Sequence, residues 1–465
     1  MTGKRKRKLA MPDTLIIVAS VVLLVAILSW IIPSGTYDYQ EMNINGRIRN
    51  VAIDGTYHTI DKSEVTTTGF LGFFSVLYRG CVEAADVIFM ILCCCGTFGV
   101  VVKTGAFHAG IGTILKKLKG KEILLVPIIM MIFGLGGSVF GEFYGFYPLI
   151  VGLGVALGYD AMFGFAIIAV GEFVGFMGAT LNPYSVGIAQ TISGVELYSG
   201  TGYRAICFVI FMAISIIYVM VYGRKIKKNP GASVVFGEKN IHAFDRDELN
   251  EYSFTLKDGL VLLDVLVVLI VLMLGLIKWG WDFPQLCGLF LLMSMIAAAI
   301  CKWSPNKWCS EFIDSAKTAM WGCILTGIAK AITVVMQDAQ IMDTVIYGLS
   351  NVLKNAPHAV SAQVMLVVQT LINFFIPSAT GQASATMPIM AQLADIIGVS
   401  RQTAVLAFQF GDGLSNIFWP TADIVIICGL GGISLQKWYK WFTPLFLILF
   451  VTQAILLGIA TGIGF

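Results

Sequence analysis

Long apolar runs, punctuated by short basic or polar stretches, dominate this chain. The first, Thr14 to Ile32, approaches the roughly 20 residues a spanning helix needs. It exceeds the roughly 7–15 residues of a signal-peptide core. Lys4, Arg5, Lys6, Arg7 and Lys8 precede it and no clear cleavage site follows, so it reads as a retained first helix. A polar, mildly acidic stretch, 34–68, comes next, then a Phe-rich amphipathic stretch from Gly69 to Arg79 and a helix over 84–103. Residues 122–158 carry apolar material on both sides of Gly134-Leu135-Gly136-Gly137-Ser138, which predicts a re-entrant hairpin. The segment 162–192 is interrupted at Gly178 to Pro183, predicting a broken helix, and a helix over 203–223 follows.

The pattern then restarts. A polar stretch, 224–257, with Pro230 and Gly231, leads to two helices, 258–278 and 283–301. After these come an interfacial stretch at 305–318, a helix at 319–337, a hairpin at 360–398, a broken segment at 402–428 and a last helix at 441–463. The chain thus divides into 1–68 (tail, first helix and outer loop), 69–223 (first repeat), 224–257 (linker), 258–304 (connecting helices) and 305–465 (second repeat). A shift of 240 residues lays Ser138 on Ser378, Gly141 on Gly381, Pro148 on Pro388, Gly158 on Gly398, Gly171 on Gly411 and Glu172 on Asp412.

Charge orients this plan. Cytoplasmic loops are enriched in Lys and Arg, and the basic stretches fall at the N-terminus, 116–121, 224–228, 302–307 and 437–440. These place the N-terminus inside, the acidic 34–68 loop outside, and the two repeats in opposite orientations, a common plan for secondary transporters. The predicted class is therefore an all-α polytopic membrane protein with two inverted repeats, each holding a re-entrant helical hairpin and a broken transmembrane helix.

Composition narrows the class further. Hydrophobic residues make up 57% of the chain and charged residues 13%, with a mean hydropathy of +0.82. Soluble domains carry about 25% charged residues, so lipid is the solvent this chain suits. Most of the ten cysteines lie inside apolar runs, Cys93, Cys94 and Cys95 consecutively, and read as membrane packing rather than a disulfide framework. The four histidines have no zinc spacing. No Walker-type phosphate loop and no basic patch interleaved with aromatics is present, so neither ATP-driven transport nor nucleic acid is expected. An intramembrane enzyme would need a nucleophile–base pair or a His-rich metal site at membrane depth, and the helices hold almost no histidine. No cofactor is expected, though coupling to Na+ or H+ stays open.

Broken membrane helices free backbone groups that must be buried in protein or line a wet cavity. Paired breaks in two halves point to the binding site. The candidate substrate residues are Ser138, Gly141, Glu142 and Tyr144 at the first hairpin tip, with Glu172, Thr180 and Asn182 in or beside the first broken helix. Ser378, Thr380 and Gln382 occupy the second tip, and Asp412, Ser415 and Asn416 the second break, read as Gly411 to Asn416 and ending at Trp419-Pro420. Ser138, Asn182, Ser378 and Asp412 are also candidate cation ligands. Carboxylates at membrane depth are functional suspects; here they are Glu142, Glu172 and Asp412, with Asp423 just past a break. Asn373 is a neutral candidate, and Phe143, Tyr144, Tyr147 and Trp419 are candidate walls. The competing reading is that the glycines merely let helices pack closely.

Gly141-Glu142-Phe143-Tyr144-Gly145-Phe146, Gly171-Glu172-Phe173-Val174-Gly175-Phe176, Ala179-Thr180-Leu181-Asn182-Pro183 and Pro377-Ser378-Ala379-Thr380-Gly381-Gln382 together resemble the YfcC family, which belongs with the anaerobic C4-dicarboxylate carriers in the ion transporter superfamily. The resemblance implies a homodimeric carrier of the bacterial inner membrane, each protomer with a scaffold and a moving transport domain. Members are dicarboxylate carriers or basic amino acid antiporters of the arginine/ornithine type. Related superfamily members carry Ser-Asn-Thr at the two hairpin tips, where this chain has Gly137-Ser138-Val139 and Ser378-Ala379-Thr380. A dicarboxylate site should offer donors and positive charge, whereas this core offers acids. A basic amino acid, its cation paired with Glu142, Glu172 or Asp412 and its carboxylate at a helix N-terminus, fits better. The rival use of the same acids is to hold Na+ or H+ beside a C4-dicarboxylate or another amino acid.

Overall fold

The fold was obtained as a computed structural model, which describes residues 14–44, 47–117, 122–139, 143–238, 254–354 and 360–465. Helices account for nearly all of it. Among the described residues, seven helical stretches are long and apolar enough to cross a membrane.

The first part comprises α1 (Thr14–Ile31), α2 (Phe70–Glu83), α3 (Ala85–Lys103) and α4 (Ala106–Lys117). Next come the hairpin arms α5 (Leu125–Gly137) and α6 (Tyr147–Ala156), the pair α7 (Ala161–Gly178) and α8 (Val186–Ile192), and the long α9 (Thr201–Lys228). Two connecting helices follow, α10 (Leu256–Lys278) and α11 (Phe283–Ile300). The same succession then recurs: α12 (Pro305–Ala316), α13 (Met320–Asp338), α14 (Met342–Lys354), arms α15 (Ser361–Phe375) and α16 (Ala379–Ile396), the pair α17 (Arg401–Ser415) and α18 (Ile424–Gly431), and α19 (Leu435–Gly462). Helices α4 and α14 are absent from the sequence reading, because each is short and amphipathic rather than a continuous apolar run. The last helix begins at Leu435, just after Ser434 and about one and a half turns earlier than its apolar run suggests.

Four short strands also lie where the sequence reading placed only a polar loop. Strand β1 (Ser34–Thr36) pairs antiparallel with β4 (His58–Ile60), and β2 (Tyr39–Ile44) with β3 (Arg47–Ala52). This flap is fastened to α14 through Asp343, which accepts hydrogen bonds from the Tyr39 hydroxyl at 2.8 Å and the Tyr37 amide at 3.0 Å. Burial, and then the Asp343 carboxylate, push the Tyr39 phenol above its ordinary value.

Arms α5 and α6 both pack on α7, and arms α15 and α16 both pack on α17. The close approach has a sequence cause. A Cβ on Gly175 would stand 1.9 Å from the Gly134 carbonyl oxygen, so only glycine permits α7 and α5 to touch backbone to backbone. Helix α7 is buried along its whole length, and the Gln409 side chain of α17 donates to the Phe176 carbonyl of α7 at 2.7 Å. The largest apolar cluster draws on α5–α9 and α15–α19; a second joins α3, α10 and α11, and a third α1, α2 and α13. Outward-facing leucines and isoleucines such as Leu256, Leu263, Ile217 and Ile206 suit a lipid surround.

Candidate functional site

The two broken helices end differently. Helix α7 stops at Gly178, and residues 179–185 form the break, as the sequence predicts. Asn182 organises it: its Oδ1 accepts from the amides of Tyr184 at 2.9 Å and Ser185 at 3.1 Å, an Asx-type turn that replaces lost helical bonds. In the second half, helix continues through Gly411, Asp412, Gly413 and Ser415, so the break lies later, at 416–423. The glycines read there as a break instead serve close packing. A Cβ on Gly411 would meet Gln369 at 2.8 Å, and one on Gly413 would meet Met177 at 2.4 Å. The freed carbonyls of Ile417 and Phe418 are taken by Trp438 Nε1 at 2.8 Å and the Tyr439 hydroxyl at 2.7 Å.

Asp412 is fully buried in the second half. Its Oδ1 accepts from Asn373 Nδ2 at 2.8 Å and, more weakly, from Asn416 Nδ2 at 3.4 Å. Its Oδ2 and the Asn373 Oδ1 are both buried without a hydrogen-bond partner. Behind them runs a chain of amides. Asn373 also donates to Gln382 Oε1 at 3.2 Å, Gln382 donates to Gln369 Oε1 at 2.7 Å, and Gln369 donates to Thr386 at 3.1 Å. Arms α15 and α16 and helix α17 thus converge on one carboxylate through neutral groups. Asp423, half-buried, lies near Tyr144.

Glu172 holds the matching place in the first half, twelfth in its helix as Asp412 is in α17. It stands in mid-helix, six residues before the break at Gly178, and faces the hairpin. Its Oε2 accepts from the buried Tyr147 hydroxyl at 2.7 Å and its Oε1 from the Phe143 amide at 3.4 Å. It is fully buried.

The tips and breaks cross between halves. Thr380, at the second tip, donates to the Tyr184 carbonyl in the first break at 2.8 Å. Tyr144, at the first tip, lies near Asp423 at the end of the second break. The sequence-predicted residues therefore divide. Asp412, Asn416 and Gln382 form one buried cluster with Asn373. Thr380, Asn182 and Glu172 hold the tips and breaks in place, and Tyr144 lies beside Asp423. Ser138 bonds the Leu135 carbonyl at 2.8 Å, Ser415 the Gly411 carbonyl at 2.6 Å, and Ser378 caps α16, so these hydroxyls are spent within their own helices. Thr180 is half-buried, its carbonyl 3.5 Å from the Thr201 hydroxyl. Gly141 and Glu142 lie outside the described residues. Trp419 donates to the Thr370 carbonyl at 2.6 Å. Sequence reading missed Gln369, an amide inside an apolar run. It also missed Asp264 on α10, whose Oδ2 is buried without a partner.

The family model of the C4-dicarboxylate anaerobic carriers matches residues 11–462. The chain belongs to this family. It is 32% identical to an Escherichia coli protein named a putative basic amino acid antiporter, with 100% of this chain and 99% of that one aligned. It is 27% identical to an uncharacterised Haemophilus influenzae protein, over 99% of each. Among solved structures it is similar to the Alcanivorax borkumensis YdaH transporter (TM-score 0.45, 15% identity, 98% of this chain and 99% of that one). It is similar too to Neisseria gonorrhoeae MtrF (TM-score 0.45, 16% identity, 97% and 96%). The protein is thus a multi-span member of a bacterial membrane-transporter family.

Proposed function

We propose that this protein is a secondary antiporter that exchanges basic amino acids of the arginine/ornithine type by alternating access. The observation that carries the reading is Asp412: a fully buried carboxylate, held by neutral amides, with one oxygen left without a donor. A buried anion needs a compensating cation, and a substrate guanidinium or ammonium supplies one with charge-assisted hydrogen bonds. The name of the Escherichia coli relative agrees with this choice. Exchange of arginine for ornithine moves no net charge and needs no coupling ion. We place the protein in the inner membrane with its N-terminus cytoplasmic, as a homodimer whose two halves lie inverted across the bilayer, and as a carrier without catalytic chemistry.

A second reading is favoured by the family description, which speaks of C4-dicarboxylates. In it, Asp412 Oδ2 and Asn373 Oδ1 hold a coupling Na+, or Asp412 a proton, beside a dicarboxylate or another amino acid. The deciding experiment is counterflow in proteoliposomes loaded with unlabelled ornithine, following labelled arginine with and without sodium. Uptake that needs internal ornithine and ignores sodium supports the antiporter. Absent arginine uptake, with sodium-dependent succinate uptake, would replace it with the second reading.

A further inference from the structure

At 28 residues, α9 extends about 42 Å at 1.5 Å per residue, well beyond the roughly 30 Å hydrocarbon core. Its excess length of about 12 Å lets the basic last two turns reach the headgroup layer. There the helix opens onto a cavity of about 500 Å³, whose lining includes Arg224, Lys225, Lys227 and Lys228 together with Tyr159 and Val221. Lys227 also lies 4.6 Å over the Tyr159 ring.

Two features separate this cluster from ordinary basic decoration of a membrane loop. The first is its pairing. Several cations near other helix ends sit on acids: Arg79 on Asp338, Lys103 on Glu311, Lys317 on Asp314 and Arg401 on Asp395. Among the described residues no carboxylate is bonded to Arg224, Lys225 or Lys228. A helix C-terminus itself favours cations by about 0.3–1 kcal/mol each, which explains one or two such residues but not four around one cavity. The second feature is what leads to the cavity. Ile206, Val209, Ile217 and Val221 form an outward apolar stripe along α9, and Ile128 and Ile132 of the neighbouring α5 are exposed as well. The stripe ends at Val221, one turn before Arg224 and Lys225 and two before Lys228. An acyl-chain track thus runs straight into a cationic pocket.

We propose that this cavity seats the phosphodiester headgroup of an anionic phospholipid, its acyl chains lying along the α9 stripe. Neutralising a negative headgroup offsets the mutual repulsion of the four cations, and each near-surface cation contributes about 1 kcal/mol, or roughly fivefold in affinity.

The test is native mass spectrometry of the full-length protein, purified in detergent and offered equal amounts of phosphatidylglycerol and phosphatidylcholine. The expected result is preferential retention of phosphatidylglycerol, with Arg224→Gln and Lys228→Gln together weakening it about 25-fold. Because removing positive charge can disturb insertion, Val221→Trp is the second variant. It keeps every charge, fills the mouth of the cavity, and is expected to lose the lipid equally. Lys317→Gln, a cation with its own acid, is expected to change nothing. Equal retention of both lipids, or undiminished retention in both cavity variants, would overturn the proposal. Displacement of phosphatidylglycerol by millimolar inorganic phosphate would reassign the cavity to a soluble phosphate and overturn the lipid reading too.

Discussion

Glu172 and Asp412 each stand twelfth in α7 and α17, within two successive runs of the same order of helices, yet their surroundings differ. Glu172 accepts from a tyrosine hydroxyl and a backbone amide of its own hairpin. Asp412 rests on asparagine amides and keeps one oxygen unbonded. In the first copy the acid is a fastener for a hairpin tip. In the second, the hairpin supplies a row of amides that present the acid. The arms that face the two acids differ in polarity: α5 has Met130 where α15, 240 residues later, has Thr370, beside Gln369 and Asn373.

This comparison can be broken most forcefully at the helix contacts. Gly175→Ala is expected to abolish recovery of monodisperse protein by size-exclusion chromatography, since its Cβ would strike the Gly134 backbone at 1.9 Å. Gly411→Ala, facing Gln369 Cβ at 2.8 Å, is expected to be milder, lowering the thermal midpoint with overpacking of about 1–3 kcal/mol. Asp412→Asn is expected to cut arginine counterflow roughly thirtyfold, the equivalent of about 2 kcal/mol for a lost charge-assisted hydrogen bond, with unchanged thermal stability. Glu172→Gln keeps an acceptor for Tyr147 and is expected to fall only about fivefold, roughly 1 kcal/mol. Equal losses in the two variants would erase the proposed division of labour. Tyr147→Phe removes the hydroxyl that donates to Glu172 at 2.7 Å, and a destabilisation of about 1 kcal/mol is expected in a thermal melt. The smallest expected effect is that of Thr380→Val, about 1 kcal/mol or a few-fold in transport, from one neutral bond to the Tyr184 carbonyl.

Sequence reading recovered the elements whose signal is local. Uninterrupted apolar length marked the spanning helices, and Gly178 to Pro183 marked the first break because a proline and an Asx turn act within a few residues. Gly411 and Gly413 misled it, because a glycine that ends a helix and one that admits a neighbour look alike until Gln369 and Met177 are in place. Asp412 was legible as a carboxylate in an apolar run. Gln369 was not, since an amide there acquires meaning only when α15 lies opposite α17 and α16. The strands of the 34–60 flap were invisible for a related reason: their short polar alternation gains stability from Asp343 and Tyr347, some 300 residues away.

The crossed tips bear on how the chain is made. When the first half emerges, the Tyr184 carbonyl has no threonine to meet it, for Thr380 lies 196 residues further on. Tyr144 likewise lies near Asp423, which is synthesised later still. The first half is thus held in the bilayer with its break unfinished until its counterpart is inserted. The contact between tip and break closes only when both halves are present.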